Sequence, residues 1–192
     1  MAELNYSIDL DLKEVKAMVD NLIPYIYEDE LYGKITIDSA RLTPGSILLR
    51  LRRLSAVRDQ MNSTQAAQYE KLNAQNEAVR KEWGVAYGKK MVQEAESRLR
   101  DLETYINECK EDPKLCANAY NPEALRRTIV AEIIAALSPD IDSKALISKI
   151  RSVDGGLRRN IREVPFIWAQ ALQPAYPHDS FWWLYGRPPQ PE

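Results

Sequence analysis

The sequence predicts an all-α protein, a helical bundle of about five main helices with one long helix and an extended aromatic C-terminal tail. Three observations support this fold class. Apolar residues recur three and four positions apart over most of the chain, which is the periodicity of an amphipathic helix. Proline and capping residues separate these stretches, as they do at helix boundaries. No stretch alternates apolar and polar residues for long enough to predict a strand.

The longest predicted helix covers residues 64–109, which contain no proline and mostly strong helix formers. About 46 residues rising ~1.5 Å each span roughly 69 Å, whereas a compact domain of this chain length has a diameter of roughly 40 Å. A straight helix of that length must protrude, break or pack along a second copy. Gly84 and Gly88 weaken it, and its apolar stripe shifts by about 100° there. We expect a bend rather than a hairpin, because Trp83 and Tyr87 suit an exposed turn poorly.

The first predicted core region, residues 11–61, holds two helices. Asp11 and Glu14 form a capping pattern at the start of the first helix. Pro24 should kink or break that helix, because it lacks the backbone donor that a helix interior requires. The second helix begins after Thr43, a capping residue followed by proline at the first helical position.

The second predicted core region, residues 121–172, begins with Asn-Pro-Glu, a helix-start signal. The helix at 121–137 is apolar over most of its circumference, the pattern of an enclosed helix. A further helix at 143–154 should end before Gly155 and Gly156. Shorter helical pieces then follow.

Composition fits one soluble globular domain over residues 1–192. The chain has 45% hydrophobic and 28% charged residues, and the net charge of −2 creates no global field for nucleic acid or an anionic membrane. No apolar run is long enough to span a membrane. The N-terminus lacks the basic and apolar regions of a secretory signal. We therefore expect a cytoplasmic protein.

The cysteines and the histidine are few enough to limit the chemistry. Cys109 and Cys116 flank a polar loop, and without a secretory signal we expect free thiols, with a disulfide as the alternative. His178 is the single histidine, which excludes two-histidine metal motifs. A cysteine–histidine nucleophile pair has no local support. We expect His178 in a solvent-side Pro-His-Asp turn, and we expect no catalytic residue, metal or cofactor.

Nine arginines form the candidate partner or nucleic-acid face: Arg50, Arg52, Arg53, Arg58, Arg126, Arg127, Arg158, Arg159 and Arg162. A basic face of this kind can follow a phosphate backbone. We favour internal or subunit pairing instead, because the first predicted helix is acidic and consecutive helices are usually neighbours. Arginine is also well suited to carboxylate-rich contacts. A phosphate-bearing small ligand is the third interpretation.

The tail, residues 173–192, is too rich in proline to form a long helix. Its candidate interface anchors are aromatic: Phe181, Trp182, Trp183 and Tyr185. Aromatic residues are enriched in interface hot spots. We favour completion of the core, because tryptophan buries a large area. A membrane-surface anchor comes third, since only Arg187 adds positive charge nearby.

The expected function is that of a non-enzymatic interaction or assembly protein, self-associating as a homo-oligomer or acting as a subunit of a larger complex. The alternative is a nucleic-acid-binding or regulatory protein that uses the arginine-rich helix faces. An enzyme is the third possibility. It would require a ligand-sized pocket lined by several Arg, Glu and Tyr side chains and His178.

Overall fold

The computed structural model describes residues 6–36 and 40–190, so the last two residues of the predicted tail lie outside the described residues. The described elements are α1 (Ile8–Asp20), α2 (Leu22–Tyr27), β1 (Gly33–Lys34), β2 (Arg41–Leu42), α3 (Pro44–Ala56), α4 (Ser63–Glu82), α5 (Gly84–Glu111), α6 (Pro113–Ala136), α7 (Lys144–Asn160), β3 (Arg162–Glu163) and β4 (Gly186–Arg187), with 3₁₀ turns at Arg58–Gln60, Gln170–Ala175 and Trp182–Tyr185. The strands form two two-residue antiparallel ladders, β1–β2 and β3–β4. The all-α class is confirmed.

The chain divides into two compact units, Met1–Glu94 and Ala95–Glu192, which we call unit 1 and unit 2. The boundary falls inside α5. The single domain inferred from chain length remains a prediction. Seven α-helices occur in the described residues where the sequence predicted about five, because the first helix and the long helix are each divided.

The long predicted helix is interrupted at Trp83, so the region 64–109 holds two helices. The backbone angles of Trp83, φ −113° and ψ 31°, lie outside the helical range. The hydroxyl of Tyr87 donates to Asn76 Oδ1 at 3.0 Å. Residues eleven apart on a straight helix would be separated by about 16 Å, so this contact requires a sharp bend. The expected bend is confirmed, and helix length no longer implies self-association.

Two predicted helix starts are wrong. α1 begins earlier, because the hydroxyl of Ser7 accepts a hydrogen bond from Leu10 N at 3.2 Å and caps the helix. Asp11 therefore lies inside α1 and is buried. α6 begins after Asp112, whose carboxylate accepts from the first-turn N–H groups, and it continues through Pro122. The chain carries a cap-proline signal twice in this region, and the first one starts the helix.

Two other predicted boundaries are confirmed in α2 and α3. α1 ends at Asp20 and α2 begins at Leu22, so Pro24 occupies the first turn of α2, where its missing N–H is not needed. α3 begins after Thr43, whose hydroxyl accepts from Ser46 N at 3.1 Å.

The prediction that glycines end the helix at 143–154 is wrong, because α7 runs through Gly155 and Gly156. Gly156 packs closely against Ile106, since a Cβ there would lie 2.8 Å from Ile106 Cδ1. Only glycine fits this contact without a shift of Ile106. The first helical piece predicted after them, 157–163, is the end of α7 followed by β3, and the second, 166–172, overlaps the 3₁₀ turn at Gln170–Ala175.

Unit 1 is organised around α1, which packs against α3 and α4. Its apolar centre includes fully buried Val15, Met18 and Ile47. The start of α3 also receives a buried carboxylate, that of Glu94 on α5. One oxygen of Glu94 accepts from the Thr43 hydroxyl at 2.6 Å, and the other accepts from Gly45 N at 2.8 Å. Negative charge is favoured at a helix N-terminus, so Glu94 fixes this part of α5 to α3.

Unit 2 is organised around α6 and the aromatic tail. The hydroxyl of Tyr120 donates to the Trp183 carbonyl oxygen at 2.6 Å, and Trp183 Nε1 donates to the Thr128 hydroxyl at 2.9 Å. All three side chains are buried. The tail is held again where β4 pairs with β3. These contacts place residues after 180 inside the core of unit 2.

Candidate functional site

The arginines of unit 1 are engaged with acidic side chains rather than gathered into a face. Arg50 Nε lies 2.5 Å from Glu14 Oε2 and 3.7 Å from Asp11 Oδ1. Burial raises the pKa of Asp11, an effect opposed by the positive charges of Arg53 and Arg50. This is the expected pairing between the acidic first helix and the basic second one.

The remaining arginine candidates of unit 1 do not form a partner or nucleic-acid face. Arg58 pairs with Glu70 at 2.5 Å on an exposed surface, where such a pair contributes about 0.2–1 kcal/mol. Arg52 and Arg53 are half-buried. Unit 1 therefore presents no continuous arginine surface among its described residues.

Two arginines of α6 are also engaged with acids. Arg127 forms a bidentate pair with Asp154, with nitrogen–oxygen distances of 2.7 and 3.0 Å. Its guanidinium also lies 4.0 Å from the centre of the Trp183 ring. Arg126 pairs with Glu123 and lies 3.6 Å from Asp101. Arg127 therefore stabilises the interior of unit 2, and Arg126 is half-buried with its charge engaged by acids.

The last three arginine candidates have a different environment. Arg158, Arg159 and Arg162 are exposed at the end of α7 and in β3. The Arg158 guanidinium lies 3.8 Å from the centre of the Trp182 ring. None of the three forms an ion pair with a carboxylate within residues 6–36 and 40–190. Of the predicted basic face, these three arginines are the ones that are exposed and have no carboxylate partner in the described chain.

The aromatic anchors of the tail serve mainly as core. Phe181 and Trp183 are buried, whereas Trp182 and Tyr185 are half-buried. Their rings meet edge to face: the Phe181 and Trp183 centroids are 5.4 Å apart, and those of Trp182 and Trp183 are 5.5 Å apart. Phe181 and Trp183 thus match the favoured interpretation of core completion and are covered while unit 2 is folded.

The cysteines correct the expectation of free thiols. Cys109 near the end of α5 and Cys116 in the first turns of α6 form a disulfide, with Cα atoms 4.8 Å apart. The expected polar loop is reduced to the single residue Asp112, which brings the two helix ends within bonding reach. The hydroxyl of Tyr105 donates to the Cys116 carbonyl oxygen at 2.8 Å. With both sulfurs bonded, no thiol remains for a cysteine–histidine nucleophile pair.

His178 lies in the expected exposed turn. Its ring nitrogens are 3.9 Å from Glu163 Oε1 and 3.6 Å from Asp179 Oδ1. Its ring also meets Tyr185 edge to face, with centroids 4.8 Å apart. Across the described residues, no group of three or more His, Cys, Asp and Glu side chains could hold a metal ion.

The ionisation of Glu123 in unit 2 is strongly altered by its surroundings. Burial raises its pKa to about 7, and the charges of Asp101 and Glu108 act in the same direction, while Arg126 opposes them. One carboxylate oxygen, Oε2, is buried without a hydrogen-bond partner in the described chain. Glu123 is therefore a buried acid that exchanges its proton near neutral pH.

The sequence did not predict the clearest exposed apolar surface, which lies in unit 1. Ile23 and Tyr27 project from α2, and Trp83 and Val85 lie at the bend between α4 and α5; we call these four residues the junction patch. Tyr27 is 62% exposed, Val85 91% and Ile23 47%. The rings of Tyr27 and Trp83 meet edge to face at 5.2 Å. The Trp83 indole N–H is buried with no acceptor among the described residues.

An acidic rim follows the junction patch directly. Glu28, Asp29 and Glu30 are all exposed after the end of α2. Their backbone is held by Lys90, whose Nζ donates to the carbonyl oxygens of Glu28 at 2.7 Å and Glu30 at 2.6 Å. Burial lowers the pKa of Lys90, and the three nearby acids oppose that shift. One buried ammonium group balances only part of their charge, so the rim remains acidic.

A signal for the junction patch was present but incomplete. Ile23 and Tyr27 are four residues apart and so share one face of α2, outside the buried positions Leu22 and Ile26. Val85 follows Gly84 directly. The sequence predicted a bend near this position, but it did not show that Trp83 meets Tyr27.

No known protein family matches this chain, and neither the curated proteins nor the solved structures include a match to it. Among the helices of the described ranges, none combines the length and apolar character that crossing a membrane requires. The functional interpretation therefore depends on the chemistry of the surfaces just described.

Proposed function

We propose that the protein is a non-enzymatic interaction subunit that binds a partner protein through the junction patch. The observation that carries this proposal is the exposure of Tyr27 and Val85 beside the bend at Trp83. Large exposed apolar side chains are ordinary when scattered singly, whereas an adjoining set marks an interaction site. Tyrosine and tryptophan are the residues most enriched in interface hot spots.

The acidic rim indicates the chemistry of the partner. Glu28, Asp29 and Glu30 adjoin the apolar side chains, so a complementary partner combines an apolar stripe with lysine or arginine beside it. An amphipathic basic helix has this character. A symmetric dimer formed through the same patch would bring two acidic rims toward each other, which is unfavourable. We therefore favour a different protein over a second copy of this chain.

The size of the patch sets the expected affinity. Full burial of an apolar side chain contributes about 1.5–3 kcal/mol, and association costs several kcal/mol in lost freedom. Three or four anchors therefore support a dissociation constant of ~1–100 μM rather than a tight complex.

Binding of an amphipathic peptide of leucine and lysine tests the proposal. The full-length chain should bind the labelled peptide, and an isosteric leucine–glutamine peptide should bind more weakly. Val85→Ser and Tyr27→Ser should each weaken binding about fivefold or more, since an interface anchor contributes roughly 1 kcal/mol or more. Val85 is so exposed that its replacement should leave the fold intact.

Ile147→Ser is the matched control, because Ile147 is a 36% exposed apolar residue of unit 2. It should leave peptide binding unchanged. The proposal fails if the chain binds neither peptide, or if the control weakens binding as much as Val85→Ser. If light scattering shows a dimer and Val85→Ser dissociates it, the partner is a second copy of this chain rather than a basic protein.

A cytoplasmic location remains part of this proposal. The Cys109–Cys116 disulfide weighs against it, because structural disulfides are rare in reducing compartments. Alkylation of free thiols in intact cells, followed by mass measurement, distinguishes a reducing location from an oxidising one. Unmodified cysteines in the cellular protein would contradict a reducing location.

A further inference from the structure

The short β3–β4 ladder of unit 2 places two arginines directly opposite each other. Arg162 and Arg187 are Cα partners in its antiparallel register, so their side chains project from the same face. Both are exposed. Like charges in opposite positions destabilise a pair of strands, and this ladder has only two residue pairs to offset that cost. A bound anion would remove the repulsion.

Neither arginine has a carboxylate partner in the part of the chain that the structure describes. Arg162 donates to the Ile161 carbonyl oxygen at 3.1 Å, and Arg187 donates to Asn121 Oδ1 at 3.3 Å. Both are neutral acceptors that leave the positive charge uncompensated. Arg127, by contrast, is neutralised by Asp154.

The acids of this segment do not neutralise the two arginines either. Between residues 158 and 187 the sequence contains four arginines and two acids, Glu163 and Asp179. Both acids flank His178. Glu163 also follows Arg162 directly in β3, so its side chain points to the opposite face of the ladder.

A third arginine of this segment lies against an aromatic side chain. Arg158, in the last turn of α7, lies over the ring of Trp182, which is half-buried and immediately precedes buried Trp183. Trp182 therefore combines a fixed position with an exposed part of its ring. We call Arg158, Arg162, Arg187 and Trp182 the arginine–tryptophan cluster.

We propose that the arginine–tryptophan cluster binds a segment of single-stranded nucleic acid. Guanidinium groups form bidentate hydrogen bonds with phosphate oxygens. Aromatic rings and arginine planes stack on unpaired bases of any sequence. A single strand offers both groups at once, whereas a duplex keeps its bases stacked. This activity is independent of the junction patch. Of the predicted nucleic-acid face it retains Arg158 and Arg162, and it adds Arg187.

Fluorescence anisotropy of the full-length chain with a labelled oligothymidylate of about 12 nucleotides tests this proposal. Binding should weaken steeply between about 50 and about 200 mM salt. The double variant Arg162→Gln/Arg187→Gln should lose affinity at least about tenfold, and its salt slope should fall by about 1.4, or ~0.7 for each lost phosphate contact. Its thermal unfolding midpoint should not fall, because the substitution removes a repulsion.

A double variant of unit 1, Arg41→Gln/Arg58→Gln, is the matched control, because it changes net charge equally and both residues are exposed. It should retain affinity within about twofold, since neither residue belongs to the cluster. An abasic strand of equal length should bind more weakly, because it lacks bases to stack on Trp182.

Three results would overturn the proposal: no binding by the unmodified chain at low salt, equal binding of the abasic strand, or preferential binding of a phosphorylated peptide. None of them bears on binding through the junction patch. The two proposals therefore fail separately.

Discussion

Buried charged side chains join the helices of unit 1, whereas aromatic side chains of the tail complete the core of unit 2. In unit 1 a buried carboxylate, Glu94, meets the N-terminus of α3, and Arg50 lies between two acids of α1. In unit 2 the rings of Phe181, Trp183 and their neighbours meet edge to face behind α6. The two halves of one chain thus use different interactions to fix their helices.

This difference explains which groups remain on each surface. The acids of unit 1 engage Arg50 and Arg58, and the side chains left exposed at its bend are apolar. Unit 2 uses its aromatic residues for the core, and Arg162 and Arg187 remain outside without acidic partners. The exposed surface described for unit 1 is apolar at its bend, and the one described for unit 2 is basic. An apolar partner is expected at unit 1 and an anion at unit 2.

The largest expected effect concerns the buried carboxylate of unit 1. Glu94→Gln should lower the free energy of unfolding by about 2–4 kcal/mol, because hydrogen bonds to a charged group contribute about 1.5–3 kcal/mol each and the amide would present an N–H where an acceptor is required. Chemical denaturation measures this loss. Glu96→Gln, at an exposed position of the same helix, should change the free energy by less than about 0.5 kcal/mol.

If the two substitutions destabilise equally, unit 1 does not depend on a charge at the start of α3. The claim that buried charge fixes the helices of unit 1 would then be wrong.

An intermediate effect is expected when the disulfide of unit 2 is removed. Cys109→Ser/Cys116→Ser should lower the free energy of unfolding by about 2–3 kcal/mol, because the cross-link restricts a short loop in the unfolded chain. Denaturation in the presence of a dithiol reductant should shift the unmodified protein by the same amount and leave the double variant unchanged. A reductant effect on the variant would contradict this assignment.

The smallest effect concerns the buried acid Glu123 and depends on pH. Its folded-state pKa of about 7 lies above its ordinary value of 4.5, so the folded chain binds the proton more tightly than the unfolded chain. The resulting stability is complete below about pH 4.5 and is lost as pH rises through about 7. Glu123→Gln should escape this loss and gain ~1–2 kcal/mol relative to the unmodified protein between pH 5 and pH 8.

Thermal unfolding across this pH range measures the difference. Glu96→Gln again serves as the control and should show no such pH-dependent gain. A constant difference between Glu123→Gln and the unmodified chain at every pH would mean that the folded and unfolded pKa values of Glu123 are equal.

Structural features that depend on neighbouring residues in the sequence were predictable. The threonine before Pro44 caps α3 as expected, and Pro24 divides the first helix, because capping and proline effects act within one helical turn. The favoured pairing of the first helix with the second also followed from their opposite charges. The predicted start of α6 was wrong, because two local cap-proline signals compete there and the sequence alone does not rank them.

By itself the sequence determined the all-α class, the cap of α3 and the acidic and basic character of consecutive segments, because these depend on residues within a few positions of one another. Tertiary structure decided the contact of Trp83 with Tyr27, the bonding of Cys109 to Cys116 and the burial of Arg127 against Trp183. Each of these depends on groups brought together by packing. The tertiary structure also decided the two proposed surfaces, since the exposure of a side chain depends on how the rest of the chain packs.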